Sequence, residues 1–162
     1  MFTSNNTSAE EFRAAAEDGG CILNLDDISL LEKAKPLPEL ICFRYNPGLR
    51  RSGNTIIGNP VEAKYGISHD QFLDAYRLAR DLGVQRFGLH TMLVSNELDH
   101  RYLVLRLVEW ASDELGIAFE FINMGGGLGI RYRTEDVPLD LQTLANEIRS
   151  LLDQFRAMVL CA

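Results

Sequence analysis

At residues 118–130 the chain reads AFEFINMGGGLGI, an apolar, β-prone run that ends in three consecutive glycines. A fourth glycine, Gly129, follows after a single leucine. Backbone N–H groups exposed in a glycine-rich turn after a parallel strand form an anion-binding concavity, because no Cβ blocks the approach. A tight turn with positive φ would use one or two glycines, and three in a row cost more chain entropy than such a turn requires. The stretch therefore predicts a strand that ends in a phosphate-binding turn.

Outward from this stretch, predicted helices and strands alternate along the chain. Ser8 and Glu11 form a capping box, which predicts a helix that stops at Gly19-Gly20. A second capping box, Ser68 to Gln71, precedes a helix that ends at Gly83. The other predicted helices are 27–35, 99–115 and 139–155; the predicted strands are 21–25, 40–45, 86–90 and 119–123, with further candidates at 2–5 and 158–161. Alternation of almost continuously apolar strands with helices predicts a parallel sheet wrapped by helices, either doubly wound or a barrel.

Length and composition limit the classes of protein. The 162 residues suit one domain, whereas a closed (β/α)₈ barrel needs about 250, so a barrel would be present only in part. A formal charge of −7 argues against a nucleic-acid or anionic-membrane surface. The chain has an odd number of cysteines, and they lack metal-ligand spacing: Cys21, Cys42 and Cys161. This pattern predicts buried thiols in a reducing compartment. We therefore expect a cytoplasmic α/β protein without a metal site.

Candidate site residues follow two other predicted strands, because sites in parallel α/β folds lie at the carboxyl ends of strands. Arg44 interrupts an apolar strand, so it must be paired or must point into a polar site. His90 and Ser95 follow the strand at 86–90, and His90 alone equally suits a hydrogen-bonded core histidine. Asp26-Asp27 is typical of a helix cap. His69 and His100 are expected at the surface.

Five segments together resemble a known family. They are SNNTSAEEFRAA (4–15), RYNPG (44–48), KYGIS (64–68), RFGLHTMLVSNEL (86–98) and NMGGGLGIRY (123–132). In this order they resemble the pyridoxal-phosphate-dependent decarboxylases of the alanine-racemase-like barrel type, and diaminopimelate decarboxylase in particular.

The resemblance implies a pyridoxal 5′-phosphate cofactor, a barrel followed by a C-terminal β-domain, and a homodimer. It also implies a small amino-acid substrate, with release of CO₂ from meso-diaminopimelate to give L-lysine. Carried onto this sequence, the family's phosphate-binding glycines correspond to Gly125, Gly126 and Gly127, and its phosphate-binding serine corresponds to Ser95. The family motif H-x-H-x-G-S keeps its first histidine as His90. Met92 stands where the second histidine stacks on the pyridine ring, and a thioether can also pack on an aromatic face.

The resemblance also implies that parts of the enzyme lie outside residues 1–162. The lysine that binds the cofactor is on the family's first barrel strand, which precedes Met1 in the family's order. A glutamate that pairs with the pyridine nitrogen is expected just after Ala162, and the C-terminal domain further on. We therefore expect a partial barrel of five to six βα units with no catalytic residue and no turnover of its own. The alternatives are another decarboxylase of this fold, acting on ornithine, arginine or carboxynorspermidine, and a non-catalytic, phosphate-binding half-barrel that self-associates.

Overall fold

In the computed structural model, the described residues are 1–48, 65–91, 98–125, 131, 133–135 and 140–160, with the side chains of 98–103 and 155–160 outside the description. Strands and helices alternate as expected. The strands are β1 Phe2–Ser4, β2 Leu23–Leu25, β3 Leu40–Tyr45, β4 Arg86–Thr91 and β5 Phe119–Asn123. The helices are α1 Ala9–Glu17, α2 Leu30–Lys33, α3 Phe72–Asp81, α4 Leu98–Leu115 and α5 Leu141–Leu160. No described helix combines the length and apolar character needed to cross a membrane.

The five strands form one parallel sheet in the order β1-β2-β3-β4-β5. A doubly wound sheet reverses its strand order at a switch point, with helices on both faces. Here each strand pairs with the next along the chain, and right-handed crossovers in one direction place all the connecting helices on one face. Sequential order therefore favours an arc of a barrel over the doubly wound alternative.

The helix-covered side, here called the outer face, holds the hydrophobic core. Alternate strand residues enter this core, among them Leu25, Phe43 and Leu89, each with no exposed surface. Tyr76 of α3 is fully buried at its centre, with ring centroids 5.0 Å from those of Phe43 and Phe119. Burial of this aromatic cluster against the helices contributes apolar stabilisation together with the aliphatic core around it.

The opposite side, here called the inner face, carries the intervening strand residues. Among them are Thr3, Asn24, Leu40, Cys42, Arg44, Arg86, Gly88, His90, Phe121 and Asn123. The strands were expected to be apolar on both faces, but this face is polar toward the carboxyl ends of β2 to β5. A barrel with a polar inner surface at that end has the layout of a ligand-binding face.

Several predicted elements have different bounds in the structure. The first capping box is confirmed: Ser8 Oγ accepts from the Glu11 amide, and Glu11 accepts from the Ser8 amide. The second is present only in part: Gln71 Oε1 accepts from the Ser68 amide at 3.2 Å, but α3 begins at Phe72, three residues later than a Ser68 cap would place it. The strand expected at 158–161 is wrong over its described part, since α5 continues to Leu160. The apolar run at 158–160 suits a helix face as well as a strand, and periodicity does not separate the two in so short a run.

Candidate ligand-binding face

A row of polar side chains crosses the inner face at the carboxyl ends of the strands. Arg44 of β3 is the Cα partner of His90 of β4, and His90 is the partner of Asn123 of β5. Asp26, directly after β2, completes the row, with its Oδ2 atom 3.3 Å from Arg44 Nη1. The structure thus brings together two of the predicted site residues, Arg44 and His90, and adds two that were not predicted.

Asp26 and Arg44 form a nearly buried ion pair. Their side chains are 3% and 11% exposed, respectively. Burial raises the pKa of Asp26, and the nearby Arg44 charge and the Gly66 backbone act in the opposite direction. The Arg44 guanidinium also lies over the Tyr65 ring, 5.2 Å from its centroid. The expectation that Arg44 is paired within a polar site is therefore confirmed.

The Asp26-Asp27 pair divides its roles in a way that the sequence did not predict. Asp27 acts near the start of α2, where its Oδ1 accepts from the Ser29 amide at 2.7 Å. Asp26 does not cap the helix and instead faces Arg44. Two adjacent residues at the end of a strand point to different sides, which explains why a single cap assignment fails for the pair.

His90 is half-buried and is held by the amide of Asn24, which lies two strands away on β2. Asn24 Nδ2 lies 2.8 Å from His90 Nδ1 and 3.3 Å from Thr3 Oγ1. Burial, together with the positive charge of Arg44, lowers the pKa of His90 to about 4. His90 is therefore neutral near pH 7. Sequence reasoning missed Asn24, although one amide between the two leucines of β2 was a usable signal.

Below the polar row the inner face is filled by Gly88, Phe121 and Cys42. A Cβ atom on Gly88 would lie 2.3 Å from the Phe121 ring, so this glycine makes room for the aromatic side chain. Cys42 is fully buried, as predicted, and burial raises the pKa of its thiol. Cys21 is only half-buried, contrary to expectation, and Cys161 lies outside the described residues. The packed layer closes the inner face beneath the candidate site.

The glycine turn begins at the end of β5. Gly125 has φ +80°, and its N–H donates to Asn123 Oδ1 at 2.9 Å. Its N–H is thus already engaged within the turn, so a phosphate would depend on the amides that follow. Those belong to Gly126 and Gly127, which lie outside the described residues, as do Ser95 and Met92.

His69 was expected at the surface, and the structure places it only partly there. Its ring is half-buried and stacks on Trp110 of α4, with centroids 5.5 Å apart and planes 17° apart. Its Nδ1 lies 3.4 Å from the Tyr45 hydroxyl. Since Tyr45 belongs to the outer-face core, His69 packs on the helix side and takes no part in the polar row. The side chain of His100 lies outside the described residues.

The amino-acid sequence is similar to those of known proteins. The chain is 38% identical over 160 residues to Protein TabA of Pseudomonas amygdali pv. tabaci, covering 95% of this chain and 38% of that protein. It is 32% identical over 164 residues to diaminopimelate decarboxylase of Thermoplasma acidophilum, covering 96% of this chain and 40% of the relative. The chain thus spans about two fifths of the length of these curated relatives.

Solved structures show the same fold. Diaminopimelate decarboxylase from Helicobacter pylori, complexed with L-lysine, superposes with a TM-score of 0.78 at 21% identity, over 94% of this chain and 42% of that one. The enzyme from M. jannaschii, in co-complex with L-lysine, gives 0.75 at 25% identity, over 96% and 39%. These likenesses confirm the partial barrel.

One family matches nearly the whole chain, over residues 1–160, and its description is "Pyridoxal-dependent decarboxylase, pyridoxal binding domain". Its cofactor is pyridoxal phosphate, which agrees with the cofactor that the family resemblance of the sequence implies. The chain belongs to the pyridoxal-dependent decarboxylases and corresponds to their pyridoxal-binding domain.

Proposed function

We propose that this chain forms the cofactor-binding barrel of an enzyme that decarboxylates meso-diaminopimelate to L-lysine and CO₂. The observation that carries the proposal is the polar row Asp26–Arg44–His90–Asn123 on the inner face of a pyridoxal-binding domain. The choice of substrate is supported by relatives and fold neighbours named diaminopimelate decarboxylase, two of the latter holding L-lysine.

The described residues fit pyridoxal phosphate. Two buried acceptor atoms toward the inner face, Asn24 Oδ1 and Asp26 Oδ1, have no hydrogen-bond partner among the described residues. A buried polar atom without a partner costs about 1–3 kcal/mol, so a polar ligand or its bound water would relieve that cost. Arg44 supplies positive charge near a ligand anion, and the positive φ of Gly125 starts a turn that lets backbone approach closely.

In the proposed mechanism, the site residues of this chain bind and orient the ligand. When bound, pyridoxal phosphate supplies an electron sink for the electron pair released as the bond to the leaving carboxylate breaks. Gly126, Gly127 and Ser95 would hold its phosphate, and Met92 would pack on its ring. Arg44, fixed by Asp26, keeps a positive charge beside His90, which stays neutral and retains one ring N–H as a donor. Beneath them, Cys42 is fully buried and the half-buried Phe121 ring lies over Gly88.

We further propose that the covalent attachment of the cofactor uses no lysine of this chain. Lys33 and Lys35 lie at the end of α2, on the helix side. Lys35 Nζ forms an ion pair with Glu32 Oε2 at 2.8 Å. Lys64, the third lysine in the sequence, lies outside the described residues. The proposal also includes a cytoplasmic location and a homodimer.

The test of the reaction is CO₂ release by the complete product of the gene, loaded with pyridoxal 5′-phosphate. We expect meso-diaminopimelate to yield equimolar CO₂ and L-lysine, with no product from L-arginine, L-ornithine or carboxynorspermidine. Turnover of one of the latter instead would assign the sister activity, and cofactor binding without any turnover would refute a decarboxylase role.

The phosphate turn is tested separately by Gly126→Val. A side chain there would obstruct the approach of a phosphate to the backbone, so cofactor affinity should fall at least about tenfold, as for a lost charge-assisted contact of 1.4 kcal/mol or more. Gly129→Val, in the same stretch but outside the triplet, is the matched control and should change affinity less. Equal affinity in the Gly126 variant and the unaltered protein would refute the cradle.

A second candidate function is a self-associating half-barrel without catalysis. It is favoured by the sheet edges, since within the described residues β1 pairs only with β2, and β5 only with β4. Unpaired strand edges tend to pair with another chain. Sedimentation of the 162-residue protein over a wide concentration range tests this: a dimer is expected, and a monomer throughout would exclude it.

A further inference from the structure

Asn24 occupies an unusual position, because it is an amide with no exposed surface in the middle of the short strand β2. Both of its flanking residues are leucines that enter the outer-face core. Its side chain therefore points to the inner face, where it reaches past β3 to His90 on β4. A buried amide costs free energy unless its hydrogen bonds are made.

The two contacts of Asn24 fix which way its amide points. Nδ2 lies 2.8 Å from His90 Nδ1 and 3.3 Å from Thr3 Oγ1, so both donor hydrogens have acceptors. The reversed amide would place Nδ2 where Oδ1 now lies, buried and without a partner in the described structure. Orphaned buried N–H groups are rarer than under-satisfied carbonyl oxygens, so the orientation with Nδ2 facing His90 is favoured.

This orientation determines the tautomer of His90. A ring nitrogen that accepts a hydrogen bond carries no proton, so the proton of the neutral ring is on Nε2. Arg44, the register neighbour of His90, opposes a second proton. Toward the carboxyl ends of the adjoining strands, the titratable groups on the inner face are Asp26, Cys42 and Arg44, and the β5 neighbour Asn123 does not titrate. The charged pair Arg86–Glu120 lies at the other end of β4 and β5. In the described part of the chain Nε2 has no hydrogen-bond partner.

We propose that Asn24 is a positioning residue, which holds His90 as the Nε2–H tautomer and thereby presents a fixed donor to an acceptor oxygen of a ligand bound on the inner face. The part that concerns the ligand rests on the proposed function; the tautomer does not. The oxygen belongs either to pyridoxal phosphate or to the carboxylate of the amino-acid substrate, which offer the same acceptor chemistry.

The tautomer is measured by long-range ¹H–¹⁵N correlation NMR on the ¹⁵N-histidine-labelled 162-residue protein at pH 7. The sequence has three histidines, and His69→Gln and His100→Gln variants assign the His90 signals. We expect the Nδ1 signal at the position of a nitrogen without a proton and the Nε2 signal at that of a protonated one. The reverse pattern, or Nδ1 and Nε2 signals averaged by rapid exchange between tautomers, would overturn the proposal. This measurement needs no substitution within the site.

Asn24→Asp then tests the role of the amide. A carboxylate only accepts, so His90 Nδ1 must become the protonated nitrogen, and the pKa of His90 should rise by about one to three pH units. Asn123→Asp is the matched control, because it adds the same charge beside His90 on the neighbouring strand β5 while keeping the acceptor for the Gly125 amide. It should leave the Nε2–H tautomer in place. An unchanged tautomer in Asn24→Asp would refute the positioning role.

Ligand additions separate the two sources of the acceptor oxygen. Binding of pyridoxal 5′-phosphate is followed independently by equilibrium dialysis, so failure to bind would count against the proposed function and leave the tautomer result intact. If it binds and shifts the Nε2 signal, the acceptor belongs to the cofactor; a shift that needs L-lysine as well assigns it to the amino acid. Bound ligand with no Nε2 shift in either case would overturn the donor role.

Discussion

The two faces of the sheet differ in what they hold and in what they do. The outer face buries aromatic and aliphatic side chains against helices, with Phe43, Phe72 and Tyr76 all at zero exposure. The inner face buries an ion pair and an amide and half-buries a neutral imidazole, and two of its acceptor atoms have no partner among the described residues. The same strands supply both faces by alternation. Stability should therefore reside mainly on the outer face, whereas the unpartnered polar atoms of the inner face cost stability, as expected for the proposed ligand-binding surface.

The largest loss of stability is expected from Tyr76→Ala, which empties the centre of the outer-face core. Removal of a buried aromatic ring costs about 3–5 kcal/mol of unfolding free energy. Tyr76→Phe is the matched control, because it removes only the hydroxyl that donates to the Gly88 carbonyl at 2.8 Å and should cost about 1–2 kcal/mol. Urea unfolding measures both, and equal losses would contradict the assignment of the core to this ring.

Arg44→Met should be the most damaging change on the inner face. It keeps the length of the stem but leaves the Asp26 carboxylate buried without its ion-pair partner, at a cost of about 2–4 kcal/mol near pH 7. Arg77→Met is its control, since the Arg77–Asp74 pair is exposed and should contribute less than about 0.5 kcal/mol.

The two arginine variants are compared by unfolding at pH 7 and by dialysis against pyridoxal 5′-phosphate. Only Arg44→Met should weaken cofactor binding. Retained affinity in a folded Arg44→Met protein would show that the inner-face cation does not serve the ligand.

Gly88→Ala tests how closely the inner face is packed beneath the polar row. The new Cβ meets the Phe121 ring, so the variant should lose about 1–3 kcal/mol. A shorter side chain at 121 should relieve the clash, and the double variant Gly88→Ala/Phe121→Leu should therefore lose less than the sum of the single changes. Additive losses in a double-mutant cycle would show that the two residues do not meet.

The pH dependence of stability isolates His90. Its pKa is about 4 in the folded chain against 6.5 in the unfolded one, so below pH 6.5 the unfolded state takes up a proton that the folded state does not. Stability should therefore be complete above pH 6.5 and fall toward pH 4, by about 2 kcal/mol after allowance for partial exposure. Asp26, whose folded pKa is raised, changes stability with pH in the opposite direction. Asp26 is present in both the unaltered protein and His90→Asn, so the difference between their unfolding free energies removes its contribution. A difference that does not change with pH would contradict a neutral, shielded His90.

Much of the outer face was predictable from the sequence, and much of the inner face was not. Hydrophobic periodicity placed β3 and β5 at their observed bounds and put Phe72, Ala75, Tyr76 and Ala79 on one buried helix face. Arg44 was predicted to be paired because a charge within an apolar strand has few other options. Its partner Asp26 and the Asn24–His90 contact were missed, since they join residues 18 and 66 positions apart that only the sheet order brings together. The turn at 126–127 lies outside the described residues and stays a prediction.

The most direct test of the inner face as the ligand-binding surface is a map of where pyridoxal 5′-phosphate binds on the protein. Titration of the labelled protein, followed by NMR, should shift the Asn24 and Asn123 side-chain amides, the His90 ring and the Gly125 amide. The Tyr76 and Phe43 signals of the outer face should stay in place. Saturable binding that shifts the outer-face signals and leaves those of the inner face unchanged would contradict the assignment of the inner face as the ligand-binding surface.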